Sequence, residues 1–477
     1  MNINLFGKLF KGVIATLILT ELFSLVSYQI PPLNQVAFFV VLIVVLFLSL
    51  RKLEYGLYIL LAEIFVGGLG HLFSFDIFGV SLSIRLGLFL VIIGAWLIKI
   101  IKKKEKFQIQ NSKFKIPNLF LAIAILIGAI NGLYNNELIN VFLDFNAWIY
   151  FLLIPVFLTV IKGQKIIENI LQILIGATTY LSLKTLIVLF LFSHNIAGIG
   201  GFFYKWIRDT GVGEITFVSG TIFRVFFQSQ IYALMGFFIV LVIVAYNFRL
   251  KEWKKYVVPV LYLYLTSLTI IISQSRSYWV GGLFGLISLI IFGWWKFNFK
   301  LKKIVVLLLM SLMFLADQIL LINFITNNFS GNLVADRFKG LQTEAAGVSR
   351  LNQLGPLSQA ISRQPLFGYG FGKELTYKSL DPRILNNNPD GTYTTYAFEW
   401  GYLDIWLKIG LLGLSAYSLL IGLLFYLGLK KTSSITGLKI GLLTALTALL
   451  VTNIFSPYLN HPLGISYIML LLATLRD

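Results

Sequence analysis

The 477 residues contain no cysteine and only three histidines. Without thiols there is no disulfide framework, no thiolate nucleophile and no thiolate metal site. His71, His194 and His461 lie too far apart in sequence to suggest an imidazole metal cluster, so no metal site is expected. Charge is scarce as well. Asp, Glu, Lys and Arg make up 12% of the chain, where a soluble domain carries about a quarter. With 58% hydrophobic residues and a mean hydropathy of +0.85, the chain cannot clothe its surface in polar groups. Lipid must be its solvent over most of its exterior.

What the sequence does have is a succession of apolar runs. A helix needs about 20 apolar residues to cross the hydrocarbon core. Such windows fall near 10–29, 33–50, 54–72, 83–101, 117–133, 145–161, 169–193, 222–247, 256–273, 277–294, 303–323, 400–429, 440–455 and 460–475. Because 145–161 and 440–455 are short, the expectation is an all-α polytopic integral membrane protein with about 12–14 transmembrane helices. The first run follows Lys8 and Lys11. It is too long for the apolar core of a signal peptide and lacks a small-residue cleavage pattern, so it reads as a retained helix.

With the N-terminus in the cytoplasm, the lysine-rich loops fall on one side: Lys52, Lys102 to Lys104, Lys162 with Lys165, 249–255, 296–303 and 430–439. That is the positive-inside pattern. It places both termini in the cytoplasm and the chain in the cell inner (cytoplasmic) membrane. The net charge of +19 is then chiefly a topology signal, and membrane lipid rather than nucleic acid is the expected partner. Arginine departs from the pattern. Eight of the eleven (Arg85, Arg208, Arg224, Arg276, Arg337, Arg350, Arg363 and Arg383) fall on the outer side or at its membrane edge. A guanidinium suits bidentate recognition of phosphate, so this bias suggests a phosphorylated ligand on the outer face. The plainer account of each arginine is snorkelling to headgroups.

Residues 324–398 form a large outer loop rich in Asn, Asp, Gly, Pro, Ser and Thr. Loops this long are functional or disordered. In 347–363, Leu351, Leu354, Leu357 and Ile361 fall near helical spacing and Pro365 stops the run. That predicts an amphipathic helix at the membrane surface, with Arg350 on its polar edge. PLFGYGFG (365–372) supplies a glycine-rich turn that lets backbone come close. It lacks the strand and helix context of a nucleotide-binding loop. Asp336 and Glu344 have no partner that can be identified from sequence.

Four segments together resemble the O-antigen ligase and O-antigen polymerase family: GTIFRVFFQSQIYALMG (220–236) at a helix start, SQSRSYWVGG (273–282), Arg350 with Leu354 followed by PLFGYGFG, and EWGYLDIWLKIGLLG (399–413). Gln228 and Ser229 stand where the family carries Pro-Asn. Gly410 and Gly413 fit the family's Gly-x-x-Gly spacing, and Glu399 stands where its ligases carry histidine. The resemblance is specific over 220–413. It divides the chain into N-terminal helices 1–219, a ligase-like region 220–413 and C-terminal helices 414–477.

The resemblance implies a GT-C-like membrane enzyme that transfers a glycan from undecaprenyl pyrophosphate to an acceptor hydroxyl of a glycan, lipid or protein. It further implies an inverting reaction, with no metal and no cofactor. Arg224, Arg276 and Arg350 are the implied pyrophosphate ligands, with Arg276 also counted as catalytic. Glu399 is the implied general base, made more basic by partial desolvation at the start of its helix. Its plain structural reading is an acid favoured at a helix N-terminus. His461 is the alternative base. Asp404 is at the wrong angle to share a helix face with Glu399. Tyr393, Tyr396 and Trp400 are expected near the site, as an interfacial belt or as faces for sugars.

A lipid-linked oligosaccharide flippase or transporter is the alternative. Transporters show internal repeats and ionisable residues inside their spans. No repeat is visible here, and Lys184 is the only clear mid-helix charge. A related peptidoglycan-polymerising transferase is a further reading that the four segments fit less well.

Overall fold

The computed structural model describes residues 4–77, 79–102, 112–247, 250–297, 301–327, 345–430 and 436–476. Among these, helices dominate, and the sheets are three antiparallel two-stranded hairpins. The chain begins with α1 (Lys8–Tyr28), α2 (Pro31–Arg51), α3 (Leu53–Val66), the hairpin β1 (Ser74–Ile77) and β2 (Val80–Ser83), and α4 (Ile84–Ile101). Next come α5 (Ser112–Asn135), α6 (Leu138–Phe145), α7 (Ile154–Val160), α8 (Gln164–Ser193) and α9 (Phe202–Asp209). The hairpin β3 (Gly213–Ser219) and β4 (Ile222–Phe227) leads into α10 (Gln230–Asn247), α11 (Val257–Ile272), α12 (Arg276–Phe297) and α13 (Leu301–Thr326). The large loop holds α14 (Ala345–Arg363), β5 (Leu375–Lys378), α15 (Pro382–Asn387) and β6 (Thr392–Thr395). Last are α16 (Gly401–Gly428), α17 (Thr436–Phe455) and α18 (Pro462–Leu475).

This is an all-α polytopic membrane protein. Ten of the described helices are long and apolar enough to cross a membrane, and a bent pair, Leu138–Phe145 with Trp148–Val160, makes an eleventh if it is one span. Phe314–Thr326 and Pro462–Leu475 are shorter apolar helices. Helix is what such sequences must form, because lipid offers no partner to a bare backbone N–H or C=O.

Two expected helices are shorter than their apolar windows. The 54–72 window is helical only to Val66, because Gly68 and Gly70 adopt positive φ there. A Cβ on Gly68 would lie 2.3 Å from the Gly211 carbonyl oxygen. The 222–247 window starts as strand β4, and its helix begins at Gln230. IFRVFF, rich in β-branched and aromatic residues, pairs with β3, Arg224 opposite Thr216, and that composition favours strand over helix. Arg224 therefore sits on a hairpin rather than at a helix start.

The chain folds as two compact units, each assembled from separated stretches. The first comprises Met1–Gln108, Leu153–Gly331 and Leu429–Ala448. Its spine is the 30-residue α8, which packs on α1, α3, α10 and α11. Charges inside it are paired. Arg85 meets Glu63 through two hydrogen bonds of 2.7 and 3.0 Å, and Lys184 meets Glu21 at 2.5 Å.

The second unit comprises Ile109–Leu152, Asn332–Gly428 and Leu449–Asp477. Here α16 packs on α5, α14 and α18. The predicted amphipathic helix is present as α14, and it ends at Arg363, just before Pro365. Its Leu357 and Ile361 are buried with Ala360, Phe398 and Leu407, each buried aliphatic contributing about 1.5–3 kcal/mol. Leu351 remains exposed. The apolar stripe thus serves chiefly to pack α14 onto α16 and the β5 hairpin.

Candidate active site

The glycine-rich turn and the Gly410–Gly413 segment are two halves of one device. At Gly410 the backbone of α16 leaves helical geometry, with φ 68° and ψ −177°. A break there frees carbonyls before it and N–H groups after it, which lipid cannot satisfy. PLFGYGFG satisfies them. Tyr369 and Gly370 donate their N–H groups to the carbonyls of Leu407 (2.8 Å) and Lys408 (3.0 Å). Leu411 and Leu412 donate to the carbonyls of Pro365 (2.8 Å) and Leu366 (3.3 Å).

Such close approach excludes side chains. Gly368, Gly370 and Gly372 all have positive φ. A Cβ on Gly370 would lie 2.2 Å from the Gly132 nitrogen, and one on Gly372 would lie 2.6 Å from that of Val141. The other wall is a polar ladder at four-residue spacing. Asn136 donates to the carbonyls of Tyr369 and Phe371, Asn140 donates to Glu374, and Asp144 accepts the Gly372 N–H at 2.8 Å.

Asp144 leads to a group of charges that the sequence reading missed. Lys408 pairs with Asp144 at 2.6 Å and with Asp404 at 2.8 Å. Asn460 donates to Asp404. The side chains are buried, 3% exposed for Lys408, 9% for Asp144 and 1% for Asp404. Lys184 is therefore not the only charge inside a span. The Asp404–Lys408 spacing of four was a visible signal, since it places both on one helix face. Nothing in the sequence pointed to Asp144, 264 positions from Lys408.

In the same unit, α14 clamps the residues that lead into α16. The Arg350 guanidinium pairs with the Glu399 carboxylate, and both side chains are about half exposed. Gln353, one turn along and buried, accepts the Glu399 N–H at 3.2 Å and donates to the Tyr377 hydroxyl at 3.1 Å. Burial holds that phenol above its usual range, so it stays protonated. Trp400 donates its indole N–H to the Arg350 carbonyl at 2.8 Å. Glu399 lies two residues ahead of the first residue of α16. The carboxylate's charged neighbour is the Arg350 guanidinium.

His461 caps α18, its Nδ1 accepting the Leu463 N–H at 3.3 Å. In the first unit, Arg224 and Arg276 are brought together. Arg224 donates from Nε to the Ser273 carbonyl at 2.9 Å and lies over the Phe226 ring, 4.7 Å from its centre. Arg276 opens α12 three residues after Ser273, within electrostatic reach of Arg224. Gln274, in the turn from Ser273 to Arg276, has a φ of 46°, a conformation that costs a non-glycine residue about 1–3 kcal/mol and clusters at functional sites. Two neighbouring guanidiniums form a positive pair suited to an anion with several oxygens. Arg85, by contrast, is committed to Glu63. Arg337, Asp336 and Glu344 lie outside the described residues. Among the described residues, no three His, Asp or Glu side chains converge as metal ligands would.

The described helices and the backbone-stitched break at Gly410 define a polytopic helical membrane protein. Residues 261–418, the segment that holds Arg276, Arg350, Glu399 and Gly410, match the O-antigen ligase family model. No curated protein and no solved structure matches the chain.

Proposed function

We propose that the protein transfers a glycan from undecaprenyl pyrophosphate to an acceptor hydroxyl at the outer face of the inner membrane, with both termini cytoplasmic. The observation that carries this reading is the Arg350–Glu399 pair, clamped by α14 inside the segment that matches the family. The acceptor oxygen attacks the anomeric carbon, the bond to pyrophosphate breaks with its electron pair leaving on phosphate, and the configuration inverts. Glu399 accepts the hydroxyl proton. As it does so its hold on Arg350 weakens, so a guanidinium becomes available as negative charge appears on the leaving group. Arg224 and Arg276, the guanidinium pair of the first unit, are the other proposed ligands of pyrophosphate oxygens.

Proteoliposomes loaded with undecaprenyl-pyrophosphate oligosaccharide test this through initial rates for wild type, Arg276→Ala and Glu399→Gln. Transfer by wild type, with both folded variants inactive, supports both roles. A fully active Glu399→Gln would move the base elsewhere, with His461 the next candidate. The second reading, a lipid-linked oligosaccharide flippase, is favoured by the paired charges within spans, Lys184–Glu21 among them.

A further inference from the structure

The first unit carries a groove that the glycan chemistry does not use. Its floor is one face of α11 and the turn before it, where Tyr256, Val257, Val260, Leu261 and Tyr264 recur at helical spacing. Phe314 of α13 makes the wall, its ring edge-on to Tyr264 at 5.5 Å. The space is about 440 Å³ and its lining is almost wholly apolar. From Tyr256 to Tyr264 it runs along roughly 12 Å of helix. Trp253 stands at one end, within a short 3-10 segment (Leu250–Tyr256), kinked at Glu252, that also carries Lys251, Lys254 and Lys255. Lys255 pairs with Glu252 at 2.8 Å. At the other end the Tyr264 hydroxyl donates to Asp317.

Cations at one end, an aromatic collar and then an apolar trough repeat the order of groups in an anionic phospholipid. We propose that this groove binds one acyl chain of an anionic phospholipid whose headgroup phosphate is held by Lys251 and Lys254. Charge complementarity selects the headgroup, since basic residues beside a membrane attract anionic lipid and a zwitterionic headgroup carries no net charge for them. The trough confines the chain, which separates this site from lysines that merely border a bilayer.

Purified full-length protein reconstituted with equal phosphatidylglycerol and phosphatidylcholine, then released into the gas phase with its bound lipids, reports which lipid stays. Wild type should retain phosphatidylglycerol in preference by about tenfold or more. Lys251→Gln with Lys254→Gln should abolish the preference. Leu261→Trp, at an exposed position that leaves the core untouched, should fill the trough and expel the lipid while both lysines remain. Lys165→Gln, the loss of one positive charge at an exposed position elsewhere, should change nothing. Equal retention of both lipids would overturn the proposal. So would a Lys165→Gln effect as large as that of the double variant, or unaltered binding in Leu261→Trp. None of these readouts depends on transfer activity.

Discussion

Glu399 and Arg350 hold each other, and that pairing sets what a substitution at either one does. Glu399→Gln keeps the size of the side chain but removes the proposed proton acceptor. Its turnover should fall by about 10²–10⁴-fold, the usual range for a lost general base, with the KM for donor little changed. A raised KM at normal turnover would instead make the carboxylate a binding group. Arg276→Ala should slow turnover by about 10²–10³-fold if it stabilises charge in the transition state. A further prediction concerns pH. Burial, and after it the nearby Arg85, hold the His71 imidazole below its usual 6.5. The fold keeps this group neutral, while the unfolded chain takes up the proton more readily. The stabilisation is present above about pH 6.5 and is lost as pH falls through the depressed folded value. His71→Asn should therefore flatten the drop in melting temperature between about pH 7 and pH 5. An identical drop in the variant would contradict this. At this scale the sequence exposed chemical types but not their partners. Arg350 and Glu399 both stood out in the sequence as candidates. Their pairing did not, because α14 and the residues before α16 meet only through tertiary packing.

Among elements, the break in α16 makes the sharpest prediction. Gly410→Ala places a side chain in a backbone region that costs about 1–3 kcal/mol, with its Cβ only 2.1 Å from the Leu366 carbonyl oxygen. Melting temperature in detergent, followed by tryptophan fluorescence, should fall clearly. Gly422→Ala in the same helix meets nothing within 4 Å and should be neutral or stabilising by about 0.5–1 kcal/mol. Equal behaviour of the two variants would mean that the break is not required. Helical spacing and Pro365 gave α14 its place and its end. Both glycine motifs were legible as turns or spacings, whereas their mutual hydrogen bonding was not, since a backbone-to-backbone contact between distant segments leaves no side-chain pattern. The strand β4 was read as helix because apolar length masked its β-branched and aromatic composition.

For the molecule as a whole, apolar length was enough to identify a polytopic helical protein, and neither the two interleaved units nor the buried charges followed from it. Lys408→Ala would leave Asp144 and Asp404 without their cation, a loss of about 3–5 kcal/mol for a buried pair. Lys408→Met combined with Asp404→Asn should recover part of that loss, because removing both partners strands less charge. The most direct test of the functional reading uses sealed proteoliposomes carrying a fluorescent undecaprenyl-pyrophosphate oligosaccharide, with an acceptor glycan outside. Glycan joined to acceptor and lipid followed across the bilayer are measured in the same sample. A glycan transferase predicts that acceptor gains glycan and pyrophosphate lipid accumulates, without net movement of donor between leaflets. Donor that crosses the bilayer with its glycan still attached, and no acceptor modified, would contradict the transferase and make the protein a flippase.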